Sequence, residues 1–199
     1  MPADTPPIAG ASLKRLVLAS RSPQRRAILD QLHIAHEVLP VDVEELADGP
    51  ATDVVRANAL AKAKAGALAR PDAVVLGVDT VVVLDGEIIG KPPSEEAARA
   101  TLKRLQGRSH EVVSGLALMD SRNTQVVHEG TEVTFRALDD AIVAAYVETG
   151  EWRGRAGGYA IQGQGAALVL RIMGDYLNVV GLPVSAMLDL DLRLILRQK

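Results

Sequence analysis

Residues 74–92, VVLGVDTVVVLDGEIIGKP, constrain this chain more than any other stretch. Residues 74–76 and 81–84 are short β-branched runs with the composition of buried strands. Between them stand Gly77, Val78, Asp79 and Thr80. An ionised carboxylate between two apolar strands is costly unless a metal or hydrogen-bond donors meet it. Asp85-Gly86 is a two-residue turn signal, so Glu87, Ile88 and Ile89 can return as the second arm of a hairpin. That arm ends at Gly90-Lys91-Pro92 and brings a cation back toward Asp79. An acid at a strand end with a returning lysine suits a metal-bound or phosphate-bound substrate. The same residues also fit an Asp that caps a loop beside a surface lysine, and this stretch alone leaves both readings open.

A chain of 199 residues has room for one sizeable domain of two lobes. Only 3% of it is aromatic, so the core has to be built from Ala, Val, Leu and Ile. A formal net charge of -3 argues against nonspecific nucleic-acid binding. The absence of cysteine excludes disulfides, thiolate zinc sites and Cys nucleophiles, and it fits a reducing cytoplasm. Residues 1–12 are rich in Pro and Ala with neither a basic nor an apolar signal region, and are expected to form a disordered tail. No apolar run is long enough to span a bilayer. The expectation is a soluble cytoplasmic protein whose residues 13–199 form a single domain, with no nucleic-acid or membrane partner.

Residues 16–19 read as a first strand, and Ser22-Pro23 opens a helix from Gln24 to about Leu32. Ser20, Arg21, Arg25 and Arg26 gather at this strand–loop–helix junction. A helix N-terminus with hydroxyls and guanidiniums is a ready phosphate site, although an ordinary capped helix with a solvated arginine face has the same sequence. Residues 36–40 read as a second strand, and residues 42–45 as an acidic turn. Residues 52–68 form the most helical stretch, with Lys62 and Lys64 on it; long lysines there are usually solvated. A helix over 94–105, strands over 111–119 and 125–135, and a helix over 138–148 follow. The glycine-dense segment 150–165 allows close backbone approach to a ligand, or simply turns. Gln162 within it can read a nucleobase edge through its amide. Short strands over 167–172 and 177–180 and a terminal helix over 184–196 complete the reading.

In order and spacing these motifs resemble the Maf family of nucleoside triphosphate pyrophosphatases, from about Leu16 to Leu190. Residues 18–25, LASRSPQR, are similar to the family's opening signature, in which two arginines usually follow the proline. Here Gln24 takes the first position and Arg25 keeps the second. The acidic element 42–45 matches with Glu45, the helix motif 61–65 with Lys64, then Gly77-Val78-Asp79-Thr80 and Lys91-Pro92. Residues 158–163, GYAIQG, resemble the version of the dTTP/UTP-preferring branch, and 178–183, NVVGLP, the closing motif.

The resemblance implies a mixed α/β fold like that of the inosine triphosphate pyrophosphatases, a curved sheet with flanking helices in two lobes around a central cleft. It implies hydrolysis of a nucleoside triphosphate, dTTP or UTP, to the monophosphate and pyrophosphate with Mg²⁺ or Mn²⁺. Asp79 and Lys91 would be catalytic, and Glu45 and Asp79 would hold the metal. Ser20, Gln24, Arg25, Lys64, Thr80 and Gln162 would contact the substrate. A homodimer is the default assembly. Three alternatives stand beside this: a catalytically weak nucleotide-binding regulator of cell division, a pyrophosphatase for a modified nucleotide such as 7-methyl-GTP, and a phosphoryl or sugar-nucleotide transferase. The first βα loop lacks the glycine pattern of a P-loop or dinucleotide site, which weighs against the last.

Overall fold

Among the described residues, one mixed sheet of seven strands organises the protein: β1 (Leu16–Ala19), β2 (His36–Val38), β3 (Val74–Leu84), β4 (Glu87–Ile89), β5 (Ser109–Met119), β6 (Thr124–Phe135) and β7 (Val169–Met173). Their order is β2-β1-β3-β5-β6-β7, with β4 also paired to β3. The computed structural model describes residues 14–196, so the tail expected over 1–12 lies outside the described residues. β2, β1 and β3 run parallel, while β4 to β7 pair antiparallel with their neighbours. Among the described residues, six α-helices flank the sheet: α1 (Pro23–Gln31), α2 (Ala51–Ala69), α3 (Glu95–Leu105), α4 (Asp140–Glu148), α5 (Tyr176–Val180) and α6 (Val184–Leu190). The mixed α/β expectation is met. Among the described residues, no helix is long and apolar enough to cross a membrane.

The central stretch differs from its reading as two short strands. β3 is continuous over eleven residues because β5 pairs with it along one edge from Val75 to Val83, with Asp79 opposite Gly115. Its other edge is shared. β1 pairs with it only as far as Gly77, and β4 begins only at Val82. Residues 78–81 are therefore left without a strand on that side. An edge opened inside a sheet, where the neighbouring parallel strand ends, is where α/β proteins place ligands.

Strand alternation sends Asp79 and Thr80 to opposite faces. On the Asp79 side, α2 lies close against the sheet. A Cβ at Gly77 would strike the Ala59 carbonyl, and one at Gly115 the Val55 carbonyl, so only glycine permits this approach. Small alanines (Ala59, Ala63, Ala117) fill the layer. The Thr80 side carries the large aliphatic core, built from β-strand residues such as Leu76, Val78 and Leu116 with Leu102, Leu105 and Met187 from the helices.

Two C-terminal expectations are corrected. Residues 177–180 form part of helix α5 instead of a strand, because Asp175 caps the segment by accepting from Leu177 N at 2.7 Å. Asn178 then anchors it, donating to the Val112 carbonyl and to Thr131 Oγ1, both at 3.0 Å. The terminal helix stops at Leu190, where extended Asp191 breaks it before a 3-10 turn over Leu192–Leu196.

Two of the few aromatics pack with a histidine in this core. His110, Phe135 and Tyr159 meet edge to face with centroids 4.8 to 5.4 Å apart, and His110 Nε2 lies 2.9 Å from Tyr159 Oη. Burial pushes the His110 imidazole down from 6.5 to about 4. The unfolded chain thus takes up this proton near pH 6.5, whereas the folded protein resists until about pH 4. Stability from this group is complete above pH 6.5 and is lost as pH falls toward 4, by about 3 kcal/mol at most. Urea unfolding at pH 7 and pH 4.5 should show that loss, and His110→Phe should remove most of the difference between the two. An unchanged difference in the variant would assign the acid sensitivity to other groups.

Candidate active site

A cleft of about 760 Å³ opens at the unpaired segment of β3. That is within the usual size range of small-molecule sites. One wall is formed by the loop after β1, the start of α1 and the loop over residues 41–47, while the other comes from Gly90-Lys91 and residues 154–162. Asp79 and Thr80 lie at the floor.

Asp79 is 7% exposed. Its Oδ1 accepts from Lys62 Nζ at 2.7 Å and its Oδ2 from Asn58 Nδ2 at 3.0 Å. Burial alone would raise this carboxyl. Lys62, by charge and hydrogen bond, together with the Asn58 amide and the charge of Arg25, overrides burial and holds it below the usual carboxylate range. Lys62 Nζ also lies 2.7 Å from Glu45 Oε1, so one ammonium joins both carboxylates. Asn58 fixes that arrangement from the loop side, with its Oδ1 accepting from Leu46 N at 2.8 Å and its Nδ2 donating to the Leu46 carbonyl at 3.0 Å. Glu45 is thereby presented to the cleft by a backbone clamp on its neighbour.

Helical phase explains why Lys62, and not Lys64, occupies this position. Val54, Asn58, Lys62 and Gly66 are four apart and all buried, a single stripe of α2 facing the sheet. Lys64 is two residues on, roughly 200° around the helix, exposed and absent from the cleft lining. Lys64 therefore stands away from the cleft, and Lys62 is the lysine brought to Asp79 and Glu45. The polar members of an otherwise apolar i, i+4 stripe were the signal that could have found Lys62 and Asn58.

On the Thr80 side, Arg25 ties three distant segments together. Its Nε donates to the Gly181 carbonyl at 2.8 Å, Nη1 to Ser20 Oγ at 3.1 Å and Nη2 to Thr80 Oγ1 at 3.1 Å. Thr80 Oγ1 also lies 2.8 Å from Ser114 Oγ. Gly181 ends α5 with φ 126, a conformation open to glycine, and so turns its carbonyl to the guanidinium. Within residues 178–183 it is the Gly181 carbonyl that meets Arg25. Burial pulls the Arg25 guanidinium down from its ordinary value while Asp79 and Glu45 push it up; arginine stays charged. Ser20 is buried and also accepts from Ser22 N at 3.2 Å. Gln24 Oε1 accepts from Ser22 Oγ at 3.1 Å, at the mouth of α1.

Lys91 and Gln162 line the opposite wall, exposed. Arg155, which the sequence reading missed, joins them half-buried. Its loop is fitted against the hairpin: Gly157 N donates to the Gly90 carbonyl at 3.1 Å, and a Cβ at Gly157 would press on Val82 at 2.8 Å. Among the cations of the cleft, Arg21 pairs with Asp42 at 3.5 Å and Lys62 with two acids. Among the described residues, Arg25, Lys91 and Arg155 have no ion-pair partner within 4 Å. Three cations without such a partner, gathered in one cleft, suit a polyanionic ligand.

Among the described residues, no group of three or more His, Asp or Glu side chains converges as a ready metal cage. Glu45 Oε1 and Asp79 Oδ1 converge on Lys62 Nζ, each at 2.7 Å. A hard divalent cation is commonly held by one or two carboxylates while substrate phosphates complete its shell, and this oxygen donor pair would offer that chemistry with Lys62 turned to the phosphates.

A fold and cleft of this kind define a protein that handles a phosphorylated small molecule at the end of a parallel strand. The Maf-like protein family model matches residues 15–192, and the chain belongs to that family. It is 44% identical to a dTTP/UTP pyrophosphatase of Pelotomaculum thermopropionicum, over 89% of this chain and 95% of the relative. To a protein of the same name from Symbiobacterium thermophilum it is 47% identical, over 86% and 90% of the two chains. Among solved structures, the Staphylococcus aureus Ham1 protein aligns with 61% of this chain and 72% of its own at 20% identity and a TM-score of 0.45, too loosely to bear on function.

Proposed function

We propose that this protein is a nucleoside triphosphate pyrophosphatase that hydrolyses dTTP and UTP to the monophosphate and pyrophosphate, a nucleotide-pool enzyme of the cytoplasm. The observation that carries the reading is Asp79, a buried carboxylate kept ionised by Lys62 and Asn58 at the floor of a cleft lined by unpaired Arg25, Lys91 and Arg155. The names of the Pelotomaculum and Symbiobacterium relatives support the substrate pair.

Water adds through its oxygen to the α-phosphorus, the bond from that phosphorus to the α–β bridging oxygen breaks, and pyrophosphate leaves with the bonding electrons. Asp79 orients the water and takes its proton. Arg25, Lys62 and Lys91 neutralise the charge that gathers on the phosphate oxygens, with Ser20 and the start of α1 at Gln24 adding hydrogen bonds. Glu45 and Asp79 are the residues that would hold Mg²⁺ or Mn²⁺, which when bound supplies charge neutralisation and a more acidic water. Thr80 and Gln162 border the base.

Pyrophosphate release from dTTP, UTP, CTP, GTP and 7-methyl-GTP, with and without EDTA, tests the reading. Metal-dependent turnover led by dTTP and UTP is expected. Turnover led by another nucleotide would overturn the substrate assignment, and binding without turnover would make the protein a nucleotide-binding regulator. Gln162→Ala should change the ratio of kcat/KM between nucleotides by about 10-fold, the scale of losing one specific base contact, with a smaller effect on kcat. An unchanged ranking would put Gln162 outside the pocket.

A further inference from the structure

Gln162 owes its position entirely to the backbone that carries it. Its side chain is exposed on the cleft wall, and no hydrogen bond fixes it to another group among the described residues. The turn around it is held from two sides. Before it, Ala160 N donates to Tyr146 Oη at 2.9 Å. After it, Gln164 N donates to Glu151 Oε1 at 2.9 Å and Gly165 N to Glu151 Oε2 at 3.1 Å. One carboxylate thus receives two successive amides at the opening of the 3-10 turn Gln164–Leu168. Bonds of this charge-assisted kind are among the stronger ones a loop can make.

The turn has no slack. A Cβ at Gly163 would strike the Glu151 carboxylate, and one at Gly165 the Ala160 carbonyl. Glu151 itself is anchored to the end of α4. Its N donates to Thr149 Oγ1 at 3.1 Å, and Thr149 Oγ1 donates to the Tyr146 carbonyl at 2.7 Å. Tyr146, buried on α4, thus serves both flanks of the turn, one through its phenol and the other through its carbonyl.

We propose that Glu151 is a positioning residue for base discrimination: by gripping the Gln164 and Gly165 amides, it sets where the Gln162 amide meets the nucleobase. The inference rests on the nucleotide reading of the cleft. Glu151 lies outside the cleft lining.

Glu151→Gln keeps one acceptor oxygen but turns an NH₂ toward the second amide, so one of the two bonds is lost. Thymine and cytosine differ at the edge an amide reads, which makes dTTP and dCTP the probes. In the full-length protein, Glu151→Gln should lower the dTTP:dCTP ratio of kcat/KM by about 3- to 10-fold, the worth of one hydrogen bond. Gln162→Ala should move it in the same direction. General loosening of the fold lowers both rates together and leaves the ratio alone, and that result overturns the proposal. If Gln162→Ala shifts the ratio and Glu151→Gln does not, Glu151 has no positioning role while the base pocket stands. If neither shifts it, the base-pocket reading falls as well. Glu151→Asp, with the carboxylate set back by one methylene, gives the same readout if the Gln variant does not fold.

Discussion

Asp79→Asn should lower kcat by about 10³-fold, the scale of a lost general base, and leave a folded protein that still binds nucleotide. The substitution keeps the shape of the side chain, removes its charge and turns one acceptor oxygen into a donor. Lys62 retains Glu45 at 2.7 Å, and the new amide oxygen can accept from Lys62 or from the Asn58 amide. We expect a cost of about 1–2 kcal/mol, seen as a fall in Tm of a few degrees. In EDTA, where no cation bridges the carboxylates and the phosphates, nucleotide affinity should hold or improve, since one negative charge has left the floor of a site for a polyanion. Pyrophosphate release and equilibrium dTTP binding, measured on the same preparation, separate the two effects. The pH profile adds a check. Because Lys62 and Asn58 hold the Asp79 carboxyl below the usual range, the wild-type profile should carry no acidic limb from Asp79 above about pH 5. Near-wild-type turnover by a folded Asp79→Asn protein would remove Asp79 from the mechanism.

The isolation of Asp79 between apolar runs was legible because carboxylates are expensive to bury, whatever the fold. What surrounds it was much less so. The sequence presents residues 77–80 as an interruption between two strands, yet β5 pairs straight through them, and only the opposite edge is open. That asymmetry belongs to the sheet order, which no local pattern carries. Residues 177–180 have β-branched composition and still form a helix, since the Asp175 cap and the reach of Asn178 to Val112 and Thr131 outweigh propensity. Helix caps at Ser22, Ser94 and Asp139 and the turn at Asp85-Gly86 stand where local chemistry put them.

The same contrast holds within the site. Ser20, Gln24, Arg25, Glu45, Asp79, Thr80, Lys91 and Gln162 line one cleft, although they come from five separate stretches of chain. Arg25 was singled out as a phosphate ligand, but the structure also makes it the tie among β1, β3 and the turn at Gly181. Arg155 and Glu151 were hidden in a segment whose glycines drew attention to backbone instead of side chains. Asn58 was passed over inside an alanine-rich helix, where a polar residue at a buried phase is an informative exception.

The choice between two lysines two residues apart gives the second large effect. Lys62→Met should cost about 2–3 kcal/mol and lower kcat by about 10²-fold or more, whereas Lys64→Met should change stability by less than about 0.5 kcal/mol and leave kinetics untouched. Removing one partner from a buried ion pair is costly because the other charge remains. The cost falls at the lower end here because the Glu45 side chain is 49% exposed and can turn to water, while Asp79 cannot. Asp79 then keeps only Asn58 and the more distant charge of Arg25 to oppose its burial, and its carboxyl rises. In the wild type that carboxyl is depressed, so its share of stability is complete above the unfolded value near 3.9 and is lost only as pH falls through the lower folded value. In Lys62→Met both the stability loss and an acidic limb in kcat should move to higher pH, a displacement that damage to the fold at large would not produce. Urea unfolding and kcat measured from pH 4 to 8 on both variants give the result directly. Loss of turnover in Lys64→Met with Lys62→Met intact would return the phosphate contact to Lys64 and require α2 to be rotated from the phase in which Val54, Asn58 and Gly66 face the sheet.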